Sequence, residues 1–409
     1  MTFSAELTWR GFVHQSTLAN LSQLNEKQWT FYHGYDASAD SQTVGNLAAM
    51  MFDRVFLRHG HSAVMLAGGA TSLIGDPGGK DAERPVQDEK TIAHNVSKAE
   101  EQLKKILGDH KFKLVNNLDW TKDLKLLPFL RDIGKQFSMT PLLQRDYIAK
   151  RIGVGGSGIS YTELSYTLLQ GYDYLYLFDK YGCTLQIGGS DQWGNCISGV
   201  ELIRRMRGAE AHAITLPLIV NKATGKKFGK SEDGAIWLDE AKTSVFKFYQ
   251  FWLNTDDESV ESYLKIFTDL DKPTITLVMA EFDSNRNLRM AQRVLAYEVS
   301  KIVHGKKRAD EAVKATKVLY GEGDFLELGK NEMHILKHEL TVVKAHDDLS
   351  QLLVDAKLAS SKSEGRTFLQ AGAVSVNGQK AGPQNLNLFV KGNNLLKRGK
   401  NSFAIVEKK

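Results

Sequence analysis

The sequence predicts an α/β fold: a parallel sheet covered by helices on both faces, then a helical region and a small α+β module. Three observations carry this. Over the first two thirds of the 409 residues, strand-like and helix-like segments alternate, which argues for strand–helix–strand units and a parallel sheet. From about Ser244 to Tyr320 helical patterns dominate and glycine becomes sparse. After residue 346, two short amphipathic segments precede alternating strands with basic turns.

Each element has its own signal. Phe31 to Tyr35 reads as a strand end. Val44, Leu47, Ala48, Met51, Phe52, Val55 and Phe56 follow at helical spacing and stop near Gly60. Ala63 to Ala67 is an apolar strand closed by Gly68-Gly69. Ile92, Val96, Ala99, Leu103 and Ile106 mark a helix, and Phe112, Leu114 and Val115 a strand. Thr184 to Ile187 and Ile214 to Val220 predict two more strands. In such sheets ligands bind beyond the carboxyl ends of the strands. The expected boundaries are a sheet domain over 1–243, a helical domain over 244–325, a connector over 326–345 and a terminal module over 346–409. In that module Leu349, Leu352, Leu353 and Ala356 form an apolar stripe. Ser361 and Glu364 have capping-box spacing for a second helix ending near Gly372. Val374 and Val376 alternate into Asn377-Gly378, a hairpin turn signal. Leu395-Leu396 and Phe403 to Val406 flank the basic turn Lys397-Arg398-Gly399-Lys400. Two helices plus short strands with basic turns suit a small RNA-binding module, and a generic α+β cap is the competing reading. There is no internal repeat and no low-complexity tract.

Composition narrows the class. With 42% hydrophobic and 25% charged residues this is an ordinary globular chain. No apolar run approaches the ~18 residues that a membrane span needs. Met1 to Leu21 lacks the basic-then-apolar order of a secretory signal. Two cysteines, Cys183 and Cys196, make neither a disulfide framework nor a zinc site alone, which points to a reducing, cytoplasmic setting. The net charge of +5 is mild. It suits a polyanionic partner if the basic residues cluster, and the last sixty or so residues do favour Lys and Arg.

Gly153 to Gly158 fits the dinucleotide pattern G-x-G-x-x-G, but Asp146 to Ile152 before it reads as a basic helix where that motif needs a strand. It is read as a flexible glycine loop. Four other elements, in order, carry chemistry. The first is Tyr35 to Leu47, where a strand end and small polar residues lead into a helix. Gly45 there permits close approach, and the helix N-terminus attracts phosphate. The second is Gly68 to Lys80 with Arg84, a glycine-rich loop in which Asp76 suits an ammonium group and Lys80 and Arg84 suit phosphates. The third joins Tyr166, Gln170 and Asp173, spaced i, i+4, i+7 on one helix face, to Leu185 through Trp193. The fourth is Lys226 to Ser231, a lysine-rich loop able to close over a polyphosphate. Taken singly, each competes with a bland reading: a polar cap, a mobile loop, a solvated face, a basic turn.

Together these elements resemble the bacterial tyrosyl-tRNA synthetases, class I aminoacyl-tRNA synthetases, over essentially the whole chain. Gly68 to Pro77, Leu185 to Asn195 and Lys227 to Ser231 carry the resemblance, with Phe248 to Thr255 and Val303-His304-Gly305 in the helical region. It implies a Rossmann-like catalytic domain, an anticodon-side α-helical domain and an S4-like RNA-binding tail. It implies ATP and L-tyrosine as substrates, tRNA(Tyr) as partner, Mg²⁺ accompanying ATP, no tightly bound cofactor, no dedicated metal site and a homodimer. Tyr32 and Asp173 would hold the phenol, Asp76, Tyr166 and Gln170 the ammonium, and Gln192 the carboxylate. Asp36, Ser38, Gly45, Gly189, Asp191 and Lys230 would contact ATP. Thr43, Asn46, Lys80, Arg84, Lys227, Lys230 and Ser231 would serve catalysis. Lys362, Arg366, Lys397, Arg398 and Lys400 would meet tRNA.

The sequence also departs from the family. The HIGH tetrad reads Thr43-Val44-Gly45-Asn46, so both histidines are missing. Ser38 stands where threonine is usual, and His33 where cysteine is common. Ser38, Thr43 and Asn46 still donate hydrogen bonds but carry no charge, and His33 is a candidate compensating donor. Two rival readings remain: a tryptophanyl synthetase, disfavoured by Tyr32 with Asp173 and by the tail, and a catalytically silent RNA-binding paralogue. The retained Lys227, Lys230, Asp76 and Asp173 argue against the second.

Overall fold

A computed structural model describes residues 1–35, 38–76, 88–220, 228–231, 234–382 and 385–409, without the side chains of residues 146, 147, 230, 231 and 386. The chain forms two compact units, 1–242 with 255–295, and 243–254 with 296–409.

The first unit is built on a six-stranded sheet of β1 (Gln15–Ser16), β2 (Thr30–Tyr35), β3 (Ser62–Ala67), β4 (Phe112–Asn116), β5 (Leu185–Gly189) and β6 (His212–Leu216). Their order is β1-β6-β5-β2-β3-β4, with β1 antiparallel and the rest parallel. The helices are α1 (Phe3–Arg10), α2 (Val44–Arg58), α3 (Gly69–Ile74), α4 (Glu89–Leu107), α5 (Leu118–Thr121), α6 (Leu126–Asp132), α7 (Met139–Leu143), α8 (Asp146–Ile152), α9 (Tyr161–Tyr181) and α10 (Trp193–Arg207). A two-stranded ribbon, β7 (Lys230–Ser231) and β8 (Gly234–Ala235), follows.

Alternation along β2 shows why both faces of the sheet are covered. Phe31 packs on Phe56 of α2, ring centroids 4.8 Å apart, whereas Tyr32 packs on Tyr174 of α9 at 5.0 Å. The α/β expectation therefore holds. The strand expected over Ile214 to Val220 ends at Leu216, because Pro217 has no N–H for the ladder. Leu218 and Val220 are exposed. Strand order reverses between β2 and β5, so their carboxyl ends frame a crevice.

α12 (Val260–Phe267) and α13 (Lys272–Ser284) belong to the first unit and α11 (Val245–Leu253) to the second. α14 (Met290–His304) runs from one to the other. The second unit continues with α15 (Lys306–Leu319), α16 (Lys330–Glu339), β9 (Thr341–Lys344), α17 (Leu349–Asp355), α18 (Lys362–Gln370), β10 (Val374–Val376), β11 (Gln379–Lys380), β12 (Gly392–Arg398) and β13 (Ser402–Lys408). The five strands order as β11-β10-β12-β13-β9. β9, read from the sequence as connector, pairs parallel with β13. Asn377 and Gly378 both take positive φ, 47° and 82°, the turn that the Asn-Gly pair predicts. The Ser361 hydroxyl accepts from Glu364 N at 3.2 Å, but the Glu364 carboxylate turns to Ser360, so the box is half made. Leu395 and Ile405 of this sheet share a core with Phe246, Ala315 and Leu336 of the helices.

Candidate active site

A cavity of about 480 Å³ opens at the carboxyl ends of β2, β3, β5 and β6. Of the expected site residues, Tyr32, Thr43, Gly45, Asn46, Asp76, Tyr166, Gln170, Asp173, Gly189, Asp191 and Gln192 line it. Ser38 is described but is not among the lining residues. Asp36, Lys80, Arg84 and Lys227 lie outside the described residues, as do the side chains of Lys230 and Ser231.

On one side of β2, α9 presents Tyr166, Gln170 and Asp173, as their spacing predicts. Asp173 is 1% exposed. Its carboxylate accepts from Asn117 Nδ2 at 2.9 Å and Trp120 Nε1 at 2.8 Å. Burial nevertheless pushes it up to about 7, against the pull of those two bonds. Tyr32 is equally buried, and its phenol is pushed well up by burial and then by neighbouring charge. Tyr32 Oη has no hydrogen-bond partner among the described residues, nor has Oε1 of the neighbouring Gln186. Two orphaned polar atoms at one wall mark a place for a ligand's polar group.

Beside them runs a chain of oriented amides. Arg145 and Thr167 both donate to Asn195 Oδ1, at 3.0 Å and 2.8 Å. That turns Asn195 Nδ2 toward Gln192 Oε1 at 3.1 Å, and so leaves Gln192 Nε2 to donate to Asp76 at 2.5 Å. Asp76 is fixed as an acceptor on the cavity wall.

On the other side of β2 the cavity meets the start of α2. Thr43 donates to Asn46 Oδ1 from its backbone N at 3.1 Å and from its hydroxyl at 2.9 Å, so these two residues cap each other. The segment before the ribbon is fastened there: Val44 N donates to Ile236 O at 3.0 Å and Ile236 N to Gly229 O at 3.1 Å. Gly229 takes φ of +95°, and a Cβ there would meet Val44 and Gly45 at 3.1–3.2 Å, so glycine is required for this close approach. The backbone thus seats Gly229, which directly precedes Lys230 and Ser231 in the chain, against the helix N-terminus that the first motif forms. Among the described lining residues there is no Lys or Arg, and Asp76, Asp173 and Asp191 are the acids. Among the described residues no group of three His, Cys, Asp or Glu is placed to hold a metal ion.

Sequence reading missed Asn117, Trp120, Arg145 and Asp53, which support the lining residues from behind. Only Asn117 and Trp120 left a trace: polar and indole donors directly after a strand's carboxyl end. Lys362, Arg366, Lys397, Arg398 and Lys400 lie in the second unit. Lys362 pairs with Asp348 at 3.0 Å, Lys397 donates to Leu319 O at 3.2 Å, and the Arg398 guanidinium stacks 4.9 Å from the Phe368 ring. Arg366 and Lys400 are exposed and have no partner among the described residues.

Residues 24–321 match the family model for class I tRNA synthetases (W and Y), and residues 332–406 match the SYY-like C-terminal domain of tyrosine–tRNA ligases. The chain is 44% identical over 397 residues to a tyrosine–tRNA ligase of Porphyromonas gingivalis, covering 93% of this chain and 92% of that one. A Streptococcus suis tyrosine–tRNA ligase is 41% identical over 426 residues, covering 99% and 100%. A C-terminally truncated Aspergillus nidulans mitochondrial tyrosyl-tRNA synthetase superposes with a TM-score of 0.70 at 32% identity, over 78% of this chain and 94% of that one. The sheet, the cavity at its switch point and these likenesses agree: the chain belongs to the tyrosine–tRNA ligases, class I aminoacyl-tRNA synthetases.

Proposed function

We propose that the protein activates L-tyrosine with ATP to tyrosyl-adenylate and pyrophosphate, then transfers tyrosine to the terminal adenosine of tRNA(Tyr). The observation that carries the substrate is the pairing of an orphaned Tyr32 hydroxyl with the acceptor Asp173 at one wall of the cavity. A phenol there accepts from Tyr32 and donates to Asp173. Phenylalanine leaves the Tyr32 hydroxyl unsatisfied, at about 1–3 kcal/mol for a buried group, and gives Asp173 no donor beyond Asn117 and Trp120. Asp76, with Tyr166 and Gln170, takes the ammonium, and Gln192 orients the carboxylate. That carboxylate attacks the α-phosphate of ATP in line and pyrophosphate departs. No protein nucleophile is needed; positioning and charge stabilisation carry the step.

Asp191 and Gly189 hold the ribose, with Asp36 and Ser38 beside the nucleotide. Gly45, Thr43 and Asn46 offer the α2 N-terminus to the phosphates. Lys80, Arg84, Lys227, Lys230 and Ser231 serve catalysis at the phosphates of ATP, and Mg²⁺ arrives with ATP. Residues 1–243 act as the catalytic domain, 244–325 as the anticodon-side domain and 346–409 as an RNA-binding module. Six large apolar side chains between Leu126 and Val154 are exposed (Leu126, Leu127, Leu130, Met139, Ile152 and Val154), which supports a homodimer formed through this region. Both cysteines are free and buried, in keeping with the cytoplasm, and no described helix is long and apolar enough to cross a membrane.

The test is charging of tRNA(Tyr) by the full chain with tyrosine, phenylalanine or tryptophan. Charging with tyrosine alone is expected. Equal charging with phenylalanine removes the role given to Tyr32 and Asp173.

A further inference from the structure

Outside the cavity, a cluster of hydrogen bonds joins three segments distant in sequence, and none of the roles above uses it. Gln102 sits half-buried on α4, which packs against α2. Its Oε1 accepts from Gln42 N at 2.8 Å, and its Nε2 donates to the Ser41 hydroxyl at 2.8 Å. A backbone N–H can only donate, so the amide oxygen must face Gln42 and the NH₂ group is committed to Ser41. Ser41 is 3% exposed. Its oxygen also accepts from Asp239 N at 3.2 Å, and its own hydrogen goes to Gln42 O at 2.9 Å. The hydroxyl thus makes one donation and two acceptances, its full capacity. A buried network with every member satisfied holds its segments rigidly.

This cluster fastens a seam. Leu238 N donates to Gln42 O at 2.9 Å and Val44 N to Ile236 O at 3.0 Å, with Thr43 and Trp237 paired antiparallel between them. Residues 41–44 run into α2, and residues 236–239 directly follow β8. From the seam, Ile236 N reaches back to Gly229 O at 3.1 Å, and a Cβ on Gly229 would stand 3.2 Å from Gly45 N. A path of hydrogen bonds therefore runs from α4 through Ser41 to the backbone of Gly229. Farther along, exposed Lys242 pairs with Asp40 at 2.6 Å, a surface contact that contributes little. The Gln102 amide and the Ser41 hydroxyl do the holding.

We propose that Gln102, acting through Ser41, is a positioning residue for tyrosine activation: it holds the seam on α4 and so sets where the backbone of Gly229, and of Lys230 and Ser231 after it, meets the start of α2. The proposal rests on the tyrosine-activating reading, in which Lys230 and Ser231 serve at the phosphates of ATP. Without the tie the seam shifts, and a misplacement of about 1 Å can cost about 10²-fold in rate. A purely structural role predicts a lower melting temperature with both substrates affected alike. A positioning role predicts loss for ATP with tyrosine binding preserved, because Tyr32 faces α9, the helix that carries Asp173, on the other side of β2 from α2.

The experiment measures tyrosine-dependent ATP–pyrophosphate exchange for the wild type, Gln102→Met, Ser41→Ala, the double variant Gln102→Met/Ser41→Ala, and Ile106→Val. Tyrosine binding by intrinsic fluorescence and thermal melting are followed in parallel. Methionine keeps the length of the side chain without its amide, and Ile106→Val thins the buried face of α4 without touching the seam. Gln102→Met should lower kcat/KM for ATP by about tenfold or more while tyrosine affinity stays within about twofold. Ser41→Ala should do the same, and the double variant should fall little below the lower single, since both act through one network. Ile106→Val should melt earlier yet keep kcat/KM for ATP within about twofold of wild type. A Gln102→Met enzyme within about twofold of wild type for ATP overturns the proposal, as does a parallel fall in its tyrosine affinity. Costs that add fully in the double variant, or a loss in Ile106→Val equal to that in Gln102→Met, overturn it too. If Ser41→Ala fails to fold, Gln102→Met against Ile106→Val decides. A wild type that shows no exchange with tyrosine refutes the activation reading itself, a result distinct from any difference among the variants.

Discussion

Asp173 and Tyr32 each bring a cost to the empty cavity, and each cost can be measured. Folding raises Asp173 from its ordinary 3.8 to about 7, so the folded protein binds that proton more tightly than the unfolded chain. The associated stability is present at low pH and is lost as pH rises from about 4 to about 7. Thermal melts of the tyrosine-free protein should show this loss, and Asp173→Asn should remove it. Tyrosine binding runs the other way. The phenol needs the carboxylate form as acceptor, so affinity should fall as pH drops through about 7, by up to about tenfold per unit. Affinity that stays flat from pH 5 to 8 contradicts this role. Tyr32→Phe deletes an orphaned hydroxyl and should leave the empty protein as stable or about 1 kcal/mol more stable, while weakening tyrosine binding. At this scale the sequence was partly legible. Tyr166, Gln170 and Asp173 share a helix face that spacing alone predicts. Asn117 and Trp120 reach Asp173 from 56 and 53 residues away, so no local pattern could reveal those contacts.

The element that carries the amino-acid side of the cavity is α9, and its ends and packing explain why it stays in place. The Ser160 hydroxyl accepts from Glu163 N at 3.1 Å, and the Glu163 carboxylate accepts from Ser160 N at 3.1 Å and pairs with buried Arg151. Ser160→Ala should cost about 1 kcal/mol in a denaturant melt. Against α10 the fit is tighter. A Cβ at Gly199 would lie 2.8 Å from the Tyr174 ring, which is fully buried and tied through its hydroxyl to His212 O at 2.7 Å. Alanine gains about 1 kcal/mol of helix propensity over glycine, but overpacking here costs about 1–3 kcal/mol, and the pinned tyrosine cannot yield. Gly199→Ala should therefore lower the melting temperature; an increase would show that α9 and α10 can move apart. Helices and inner strands were legible because apolar periodicity and turn residues agree. β9 was not: Thr341–Lys344 is a short edge strand whose partner, β13, lies some sixty residues later.

Over the whole molecule, the net charge of +5 is too small to steer a polyanion by itself, so the distribution of basic groups matters. In the tail those groups divide into two kinds. Lys397 and Arg398 already serve the fold, through Leu319 O and the Phe368 ring, whereas Arg366 and Lys400 are exposed without described partners. Arg366→Glu and Lys400→Glu should each weaken tRNA binding and flatten its salt dependence while leaving tyrosine activation unchanged. Lys397→Ala should instead lower stability. Equal effects of the two kinds on tRNA affinity would contradict this division. The tetrad Thr43-Val44-Gly45-Asn46 departs from the family's HIGH pattern, so the central claim is that this cavity still activates tyrosine. The most direct measurement is tyrosine-dependent ATP–pyrophosphate exchange by the full chain, with tryptophan and phenylalanine as controls. The account predicts exchange with tyrosine alone. A folded protein that binds tRNA and shows no exchange with any of the three would contradict it, and would make this chain a silent RNA-binding relative.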